Sequence, residues 1–133
     1  MNLQDKVIVV TGGGQGLGRA MAVSLAKDGA KLALIDLDQD LLNETAALVE
    51  EAGSSAKTYV ANVTVETDVE TTFDAIVNDF GGLDGLINNA GILRDGMLLK
   101  YKDGEVQKKM SLAQFQSVID VNLTGVFLCV WNA

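Results

Sequence analysis

Val7-Ile8-Val9-Val10-Thr11-Gly12-Gly13-Gly14-Gln15-Gly16-Leu17-Gly18 is the stretch on which the reading of this chain turns. A short β-branched apolar run favours strand over helix. It meets a turn made mostly of glycine, and an amphipathic helical pattern opens at Leu17. Glycine tolerates positive φ and lets a ligand approach a backbone that carries no Cβ. The free N–H groups and dipole of the helical turn that follows favour a negative charge. Strand, glycine turn and helix together predict a site for the pyrophosphate of a dinucleotide. Spacing narrows the choice. Gly13 and Gly18 stand as a triphosphatase phosphate loop requires, but Arg19-Ala20 follows in place of Lys and Ser or Thr. The pattern G-x-G-x-x-G fails as well, because no third glycine falls at the required place. Thr-Gly-x-x-x-Gly-x-Gly, from Thr11 to Gly18, fits.

Length and composition set the outer bounds. The 133 residues predict one domain over residues 1–133, and 48% hydrophobic content supplies a core. A net charge of −8 argues against nucleic acid or an anionic membrane as main partner. Met1 to Lys6 lacks the basic and apolar segments of a signal peptide. No uninterrupted apolar run approaches the roughly 18 residues of a spanning helix. Val118 to Trp131, broken by Asp120, Asn122 and Gly125, is expected to be a buried helix. Cys129 is the single cysteine, expected as a buried small hydrophobe in a reducing cytoplasm. With no histidine and one cysteine, no metal site is expected from those ligands, and no His-based triad can form.

The rest of the chain repeats the opening alternation. Leu17, Met21, Leu25 and Ala26 predict the inward face of a first helix that stops at Gly29. Lys31 to Asp36 reads as a second buried parallel strand. Asp38 is placed to cap a second helix, with Leu41, Leu42, Thr45, Leu48, Val49 and Ala52 inward and Gly53 at its end. Ala56 to Val63 predicts a third strand, Thr64 the next N-cap, and Val69, Phe73, Ile76, Val77 and Phe80 a third helix ended by Gly81-Gly82. Leu83 to Asn88 completes the fourth strand. The expectation is an α/β, doubly wound, Rossmann-like parallel sheet in the order 3-2-1-4, limited to its first four strands and flanking helices. Arg94 to Lys109 breaks the rhythm with five of the ten basic residues. It predicts a hairpin on Asp103-Gly104. Ser111 and Gln114 form a capping box for a long helix marked by Leu112, Phe115, Ile119, Leu123, Val126, Phe127 and Val130.

Asp36 ends the second strand 18 positions past Gly18. A carboxylate about 20 residues beyond such a turn accepts both adenosine ribose hydroxyls and repels a 2′-phosphate. Gln15 and Leu37 offer that phosphate no cation. These residues predict NAD(H) over NADP(H), against the alternative of a capping or solvated Asp.

Three further marks stand in order after the glycine turn: Asp36, Asn88-Asn89-Ala90-Gly91 after the fourth strand, and Val121-Asn122-Leu123-Thr124-Gly125 on the last helix. With Thr11–Gly18 they resemble the classical short-chain dehydrogenase/reductase family, of the type that reduces 3-oxoacyl thioesters and oxidises secondary alcohols. The resemblance spans the N-terminal half of such an enzyme and implies hydride transfer between a nicotinamide and an alcohol or ketone. It implies cofactor contacts from Gly12, Gly14, Gln15, Gly16, Leu17 and Gly18 in the turn, then Asp36 and Leu37. Asn62 and Val63 stand where the family usually has Asp-Val against adenine, and an Asn amide can still bond the purine edge. Asn89, Ala90 and Gly91 complete the cofactor contacts. Asn122 is the implied catalytic residue, part of a proton relay behind an active lysine; the alternative is a buried structural amide.

The departure is sharp. The family's Tyr-x-x-x-Lys fails at both tyrosines, because Tyr59 is followed at the required place by Val63 and Tyr101 by Glu105. The chain therefore reads as a cofactor-binding half, incomplete at its C-terminus and inactive alone. The alternative is a non-catalytic nucleotide-binding module or an inert fragment. Homodimers or tetramers, or pairing with the remaining half, are implied partners beside a small alcohol or carbonyl substrate. The hairpin reads as a solvated insertion or as a basic surface for an anionic ligand.

Overall fold

The computed structural model describes residues 2–133; Met1, the first residue of the Met1–Lys6 segment read above against a signal peptide, lies outside the described residues. Strands β1 (Val7–Thr11), β2 (Lys31–Asp36), β3 (Ala56–Val60) and β4 (Gly85–Ile87) form one parallel sheet in the order β3-β2-β1-β4. Helices α1 (Gly16–Lys27), α2 (Gln39–Glu51) and α3 (Glu66–Phe80) make the crossovers. The predicted α/β class and strand order hold. A hairpin of β5 (Leu99–Lys102) and β6 (Glu105–Lys109) stands apart from that sheet. The chain ends in α4 (Leu112–Ile119), a π-helical turn (Asp120–Thr124) and α5 (Gly125–Asn132), which run on as one helix.

Alternation along the strands sorts the apolar side chains onto two faces, which is why β1 and β2 read as unbroken apolar runs. Ile8, Val10, Leu32 and Leu34 pack with Ala22, Ala26, Leu42 and Val49 under α1 and α2. Val9, Ala33 and Ile35 face the other way, onto Val69, Phe73 and Ile76 of α3 and Leu128 and Cys129 of α5. The register Val7↔Lys31 through Thr11↔Ile35 aligns the ends of β1 and β2, so the glycine turn and Asp36 emerge side by side.

Several local expectations are met. Asp38 caps α2 by accepting from the N–H groups of Asp40 and Leu41, and Gly81 ends α3 in the left-handed region. The Ser111–Gln114 capping box is complete. The hairpin turns at Asp103-Gly104, both with positive φ.

Others are corrected. β3 stops at Val60 rather than Val63, because β2 ends at Asp36, the partner of Val60, and offers nothing further to pair with. β4 is only Gly85–Ile87, since the Asn89 N–H turns back to the Ile87 carbonyl. Val65, not Thr64, is the N-cap of α3; the Thr64 N–H and hydroxyl are both held by Asn62 Oδ1. Leu17 is 76% exposed, and Gly18, Ala22 and Ala26 form the buried stripe of α1 instead. Leu48 and Val77 are likewise exposed. The largest correction concerns the last helix. Its expected inward positions Leu112, Phe115, Leu123, Phe127 and Val130 are exposed, while Gly125, Leu128 and Cys129 are buried. Leu112–Asn132 is also long and apolar enough to cross a membrane by length and composition, because helical continuity counts across the polar interruptions.

Candidate functional site

The site lies where crevices form in open α/β sheets, at the carboxyl ends of the strands where the strand order reverses. A cleft of about 290 Å³ opens there. Gly12 and Gln15 border it from the glycine turn, Asp36 and Leu37 from the end of β2, and Ala61, Asn62 and Val63 from the segment after β3. Asn89, Ala90, Gly91 and Ile92 form the wall beyond β4. A larger and shallower depression of about 550 Å³ lies at the opposite end of the sheet, between the C-terminal ends of α1 and α2. No helix N-terminus faces it, so it lacks the donors that the first cleft presents.

The glycines of the turn divide by physical cause. Gly12 and Gly16 have φ of +64° and +54°, the left-handed region that a side chain disfavours. At Gly18 the cause is space, because an added Cβ would collide with the Gly12 carbonyl and sit 2.8 Å from Asn89 Nδ2. At Gly14 a Cβ would lie 2.9 Å from Asp36 Oδ2. The start of α1 therefore docks directly on the loop backbone, just behind the cleft-lining Gly12 and Gln15.

Asp36 accepts from the Gly14 N–H through Oδ2 at 2.9 Å and from the Leu37 N–H through Oδ1 at 2.7 Å. A carboxylate has about four lone-pair positions, so acceptor capacity remains on the side that lines the cleft. Asn62 Oδ1 is taken by Thr64, and its own N–H donates to Asp68 Oδ2. Its side-chain Nδ2 is left as the donor at the cleft.

Three residues outside the expected cofactor contacts, Thr11, Arg19 and Thr45, hold this loop. Thr11 Oγ1 accepts the N–H groups of Asn89 and Ala90, each at 3.0 Å, and donates to the Ile87 carbonyl. Asn89 returns the contact, donating through Nδ2 to the carbonyls of Thr11 and Gly12, both at 3.1 Å. Asn89 of the Asn-Asn-Ala-Gly stretch and Thr11 thus tie the end of β1 to the segment after β4. On the other side, the Gly14 carbonyl accepts from Arg19 Nη2 at 2.6 Å and from buried Thr45 Oγ1 at 3.0 Å. Arg19 also pairs with Glu44 at 2.8 Å. Thr45 sits at a counted inward position of α2, but its partner, a loop carbonyl 31 residues back, leaves no local signal.

Asn122 is exposed rather than buried, and its role as a buried amide does not hold. It sits in the π-helical turn, and its amide clasps the backbone of Ile92: Oδ1 accepts from the Ile92 N–H at 2.8 Å, and Nδ2 donates to the Ile92 carbonyl at 3.0 Å. The far lip of the cleft is thereby fixed to the last helix. Gly125, read in sequence as an interruption, is where that helix approaches Val63, whose Cγ2 would lie 2.9 Å from an added Cβ.

Of the expected cofactor contacts, Gly12, Gln15, Asp36, Leu37, Asn62, Val63, Asn89, Ala90 and Gly91 line one cleft. Gly14, Gly16, Leu17 and Gly18 belong to the turn and first helical residues behind it. Neither tyrosine joins them. Tyr59 donates to Asp79 Oδ2 at 2.7 Å, and desolvation together with that carboxylate holds its hydroxyl above the ordinary phenol range. A general acid or base needs the opposite shift. Tyr101 lies on the exposed hairpin. Among the described residues, no cluster of three or more His, Cys, Asp or Glu is placed to hold a metal.

Comparison with known proteins follows the same outline. The sequence model of a family described as short chain dehydrogenase matches residues 6–133. Levodione reductase of Leifsonia aquatica is 42% identical over 126 residues, covering 93% of this chain and 44% of that protein. 2-(S)-hydroxypropyl-CoM dehydrogenase 3 of Xanthobacter autotrophicus is 39% identical, covering 95% and 46%. Among solved structures, levodione reductase superposes with a TM-score of 0.83 at 40% identity, over 97% of this chain and 48% of that one. NAD+-bound xylitol dehydrogenase gives 0.82 at 34% identity, over 99% and 48%. The chain spans about half the length of the curated relatives it matches.

Proposed function

This chain belongs to the short-chain dehydrogenase family, and from that membership we propose that its cleft holds NAD(H) for hydride transfer between the nicotinamide and an alcohol or ketone carbon. The observation that carries the reading is Asp36. Its carboxylate is fixed beside the glycine turn by the Gly14 N–H and borders the cleft with acceptor capacity to spare. Two vicinal ribose hydroxyls suit such an acceptor, whereas a 2′-phosphate meets like charge. The cradle fits the group. The start of α1 brings N–H donors and a positive dipole end to a pyrophosphate, no side chain stands at Gly12, and Asn62 Nδ2 is free for a purine edge.

When bound, the nicotinamide supplies the hydride donor or acceptor. The chain's own residues bind and orient. Asn122 acts through Ile92, holding the cleft lip, and is the residue here assigned to the family's catalytic set. The acid–base tyrosine and its lysine have no counterpart in these residues, so the chain is expected to be the cofactor-binding half of the active unit. The substrate is a small secondary alcohol or carbonyl compound, with a 3-oxoacyl thioester as one candidate. The unpaired, buried Cys129 supports a reducing cytoplasm. The exposed face of the last helix supports assembly with copies of the chain or with its remaining half.

Calorimetric titration tests the reading. NADH should bind more tightly than NADPH, and Asp36→Ala should narrow that gap about tenfold, the worth of about 1.4 kcal/mol. Because Asp36 also steadies Gly14, both affinities fall, and the ratio is the quantity that decides. An unchanged ratio removes Asp36 as the selector. Ordinary turnover by the 133 residues alone would refute the assignment of a missing acid–base pair. The failure of Tyr-x-x-x-Lys at both Tyr59 and Tyr101 also favours a second reading, a nucleotide-binding module without catalysis. It predicts binding in calorimetry and no turnover even when a polypeptide carrying Tyr-x-x-x-Lys is supplied.

A further inference from the structure

Arg94 to Lys109 carries five basic residues against three acidic ones in a chain of net charge −8. Among the described residues the ion pairs are Lys6–Asp84, Arg19–Glu44, Lys31–Asp5 and Lys57–Asp79, and none draws on this segment. Strand alternation and the β5–β6 register put Lys100, Lys102 and Lys108 on one face, with Lys100 directly opposite Lys108 and, past a register shift between Lys100 and Tyr101, Lys102 opposite Glu105, so that the face keeps a net positive charge. Like charges so placed destabilise a strand pair. The ribbon makes no substantial packing contact with any other strand or helix. A lone two-stranded hairpin is marginal in water, so both features call for a cover that is anionic.

Such a surface exists on the same chain, out of the hairpin's reach. Along the outer side of α3, Glu66, Glu70 and Asp74 recur at i, i+4 and i+8. All are exposed and enter no ion pair or side-chain hydrogen bond. Like charges at i, i+4 weaken a helix. The spacings match: successive same-face residues on a strand are about 6.6 Å apart, and i to i+4 on a helix is about 6 Å. Each surface is repulsive alone and complementary to the other, and the two make no substantial packing contact within one chain.

We propose that the basic face of the β5–β6 hairpin docks along the acidic row of α3 in a second copy of this chain. A two-fold pair forms the contact twice, hairpin on α3 in each direction. The surface is separate from the cofactor cleft and from the apolar face of the last helix, and does not depend on what the cleft binds.

The test uses full chains in two isotopic labels, mixed and treated with a zero-length carbodiimide that joins amines to carboxylates. Mass spectrometry should find mixed-label links from Lys100 or Lys108 to Glu70 or Asp74. Between about 0.1 M and about 1 M salt, where the Debye length falls from about 10 Å to about 3 Å, they should drop about tenfold. Lys100→Glu with Lys108→Glu should weaken self-association, as should Glu70→Lys with Asp74→Lys. Mixing the two charge-reversed chains should restore it between them. The far-ultraviolet circular dichroism and urea midpoint of each variant report that it folds, independently of whether it associates. Four results would overturn the proposal. They are same-label links only, links from the hairpin to other surfaces, salt-insensitive association, and charge-reversed chains that fail to recover each other. Hairpin lysines occupied by nucleic acid or another protein instead of a second copy would overturn it equally.

Discussion

The sheet with its three crossover helices and the segment from Arg94 onward are built from similar proportions of apolar residues, yet they bury them in opposite ways. Among the described residues, those before Gly81 supply every buried apolar side chain except Leu128 and Cys129. After Leu93, Met97, Leu98, Leu99, Tyr101, Phe115, Phe127 and Trp131 all face outward. The first region closes on itself because each βα unit brings both the apolar face and the helix that covers it. The second presents apolar faces that no element of these residues covers. An apolar stripe specifies that a surface is to be buried, and only the partner's presence decides whether it is.

The comparison breaks first if the glycine turn tolerates bulk. Gly18→Ala sets a methyl group against the Gly12 carbonyl and Asn89 Nδ2. Overpacking of this kind costs up to about 3 kcal/mol. The start of α1 must shift from the loop, so NADH affinity should fall more than about a hundredfold, the equivalent of about 2.7 kcal/mol. Urea unfolding and calorimetry read the two effects separately. A variant that binds normally would mean that the turn serves packing and not the cofactor.

A smaller effect probes the tie between β1 and the segment after β4. Thr11 is 1% exposed, and its hydroxyl satisfies two backbone N–H groups. Thr11→Val keeps the shape and removes the acceptor, leaving those donors without it, at a cost of about 2 kcal/mol. The Asn89 and Ala90 amides should lose hydrogen-exchange protection while those of β2 keep it. Uniform loss across the sheet would show that the cleft wall is not a separately held unit.

What the sequence made legible follows the same division. Period, caps and glycine spacing are local, and they placed the strand order, the Asp38 cap, the hairpin turn and most of the cleft. What escaped depends on distant partners. Thr45 binds a carbonyl 31 residues away. β3 and β4 are shorter than their apolar runs because pairing, not composition, ends a strand. Asn122 was expected to be buried because its neighbours are apolar; its partner is the Ile92 backbone, 30 residues earlier. On the last helix the spacing selected Phe127 and Val130, the wider apolar stripe. The face that packs is narrower and is centred on Gly125, where the absence of a side chain is the contact.

Phe127 and Leu128 bring that contrast down to adjacent residues, at 60% and 7% exposure. Phe127 touches the ring of Trp131, itself exposed, with centroids 5.8 Å apart. For an isolated chain, Phe127→Lys should therefore shift stability by no more than about 0.5 kcal/mol, the range of surface substitutions. Cys129 provides the reporter. It is 1% exposed, and burial pushes its thiol up to about 11, so alkylation near neutral pH requires α5 to leave the core. Unchanged alkylation in the variant would show that α5 is held by Leu128, Cys129 and Gly125 alone. A loss that grows with protein concentration carries the opposite meaning, because the stability of an associating chain depends on its concentration. The exposed stripe would then be a buried interface in solution, and the two regions would differ only in whether the covering surface comes from the same chain or from another.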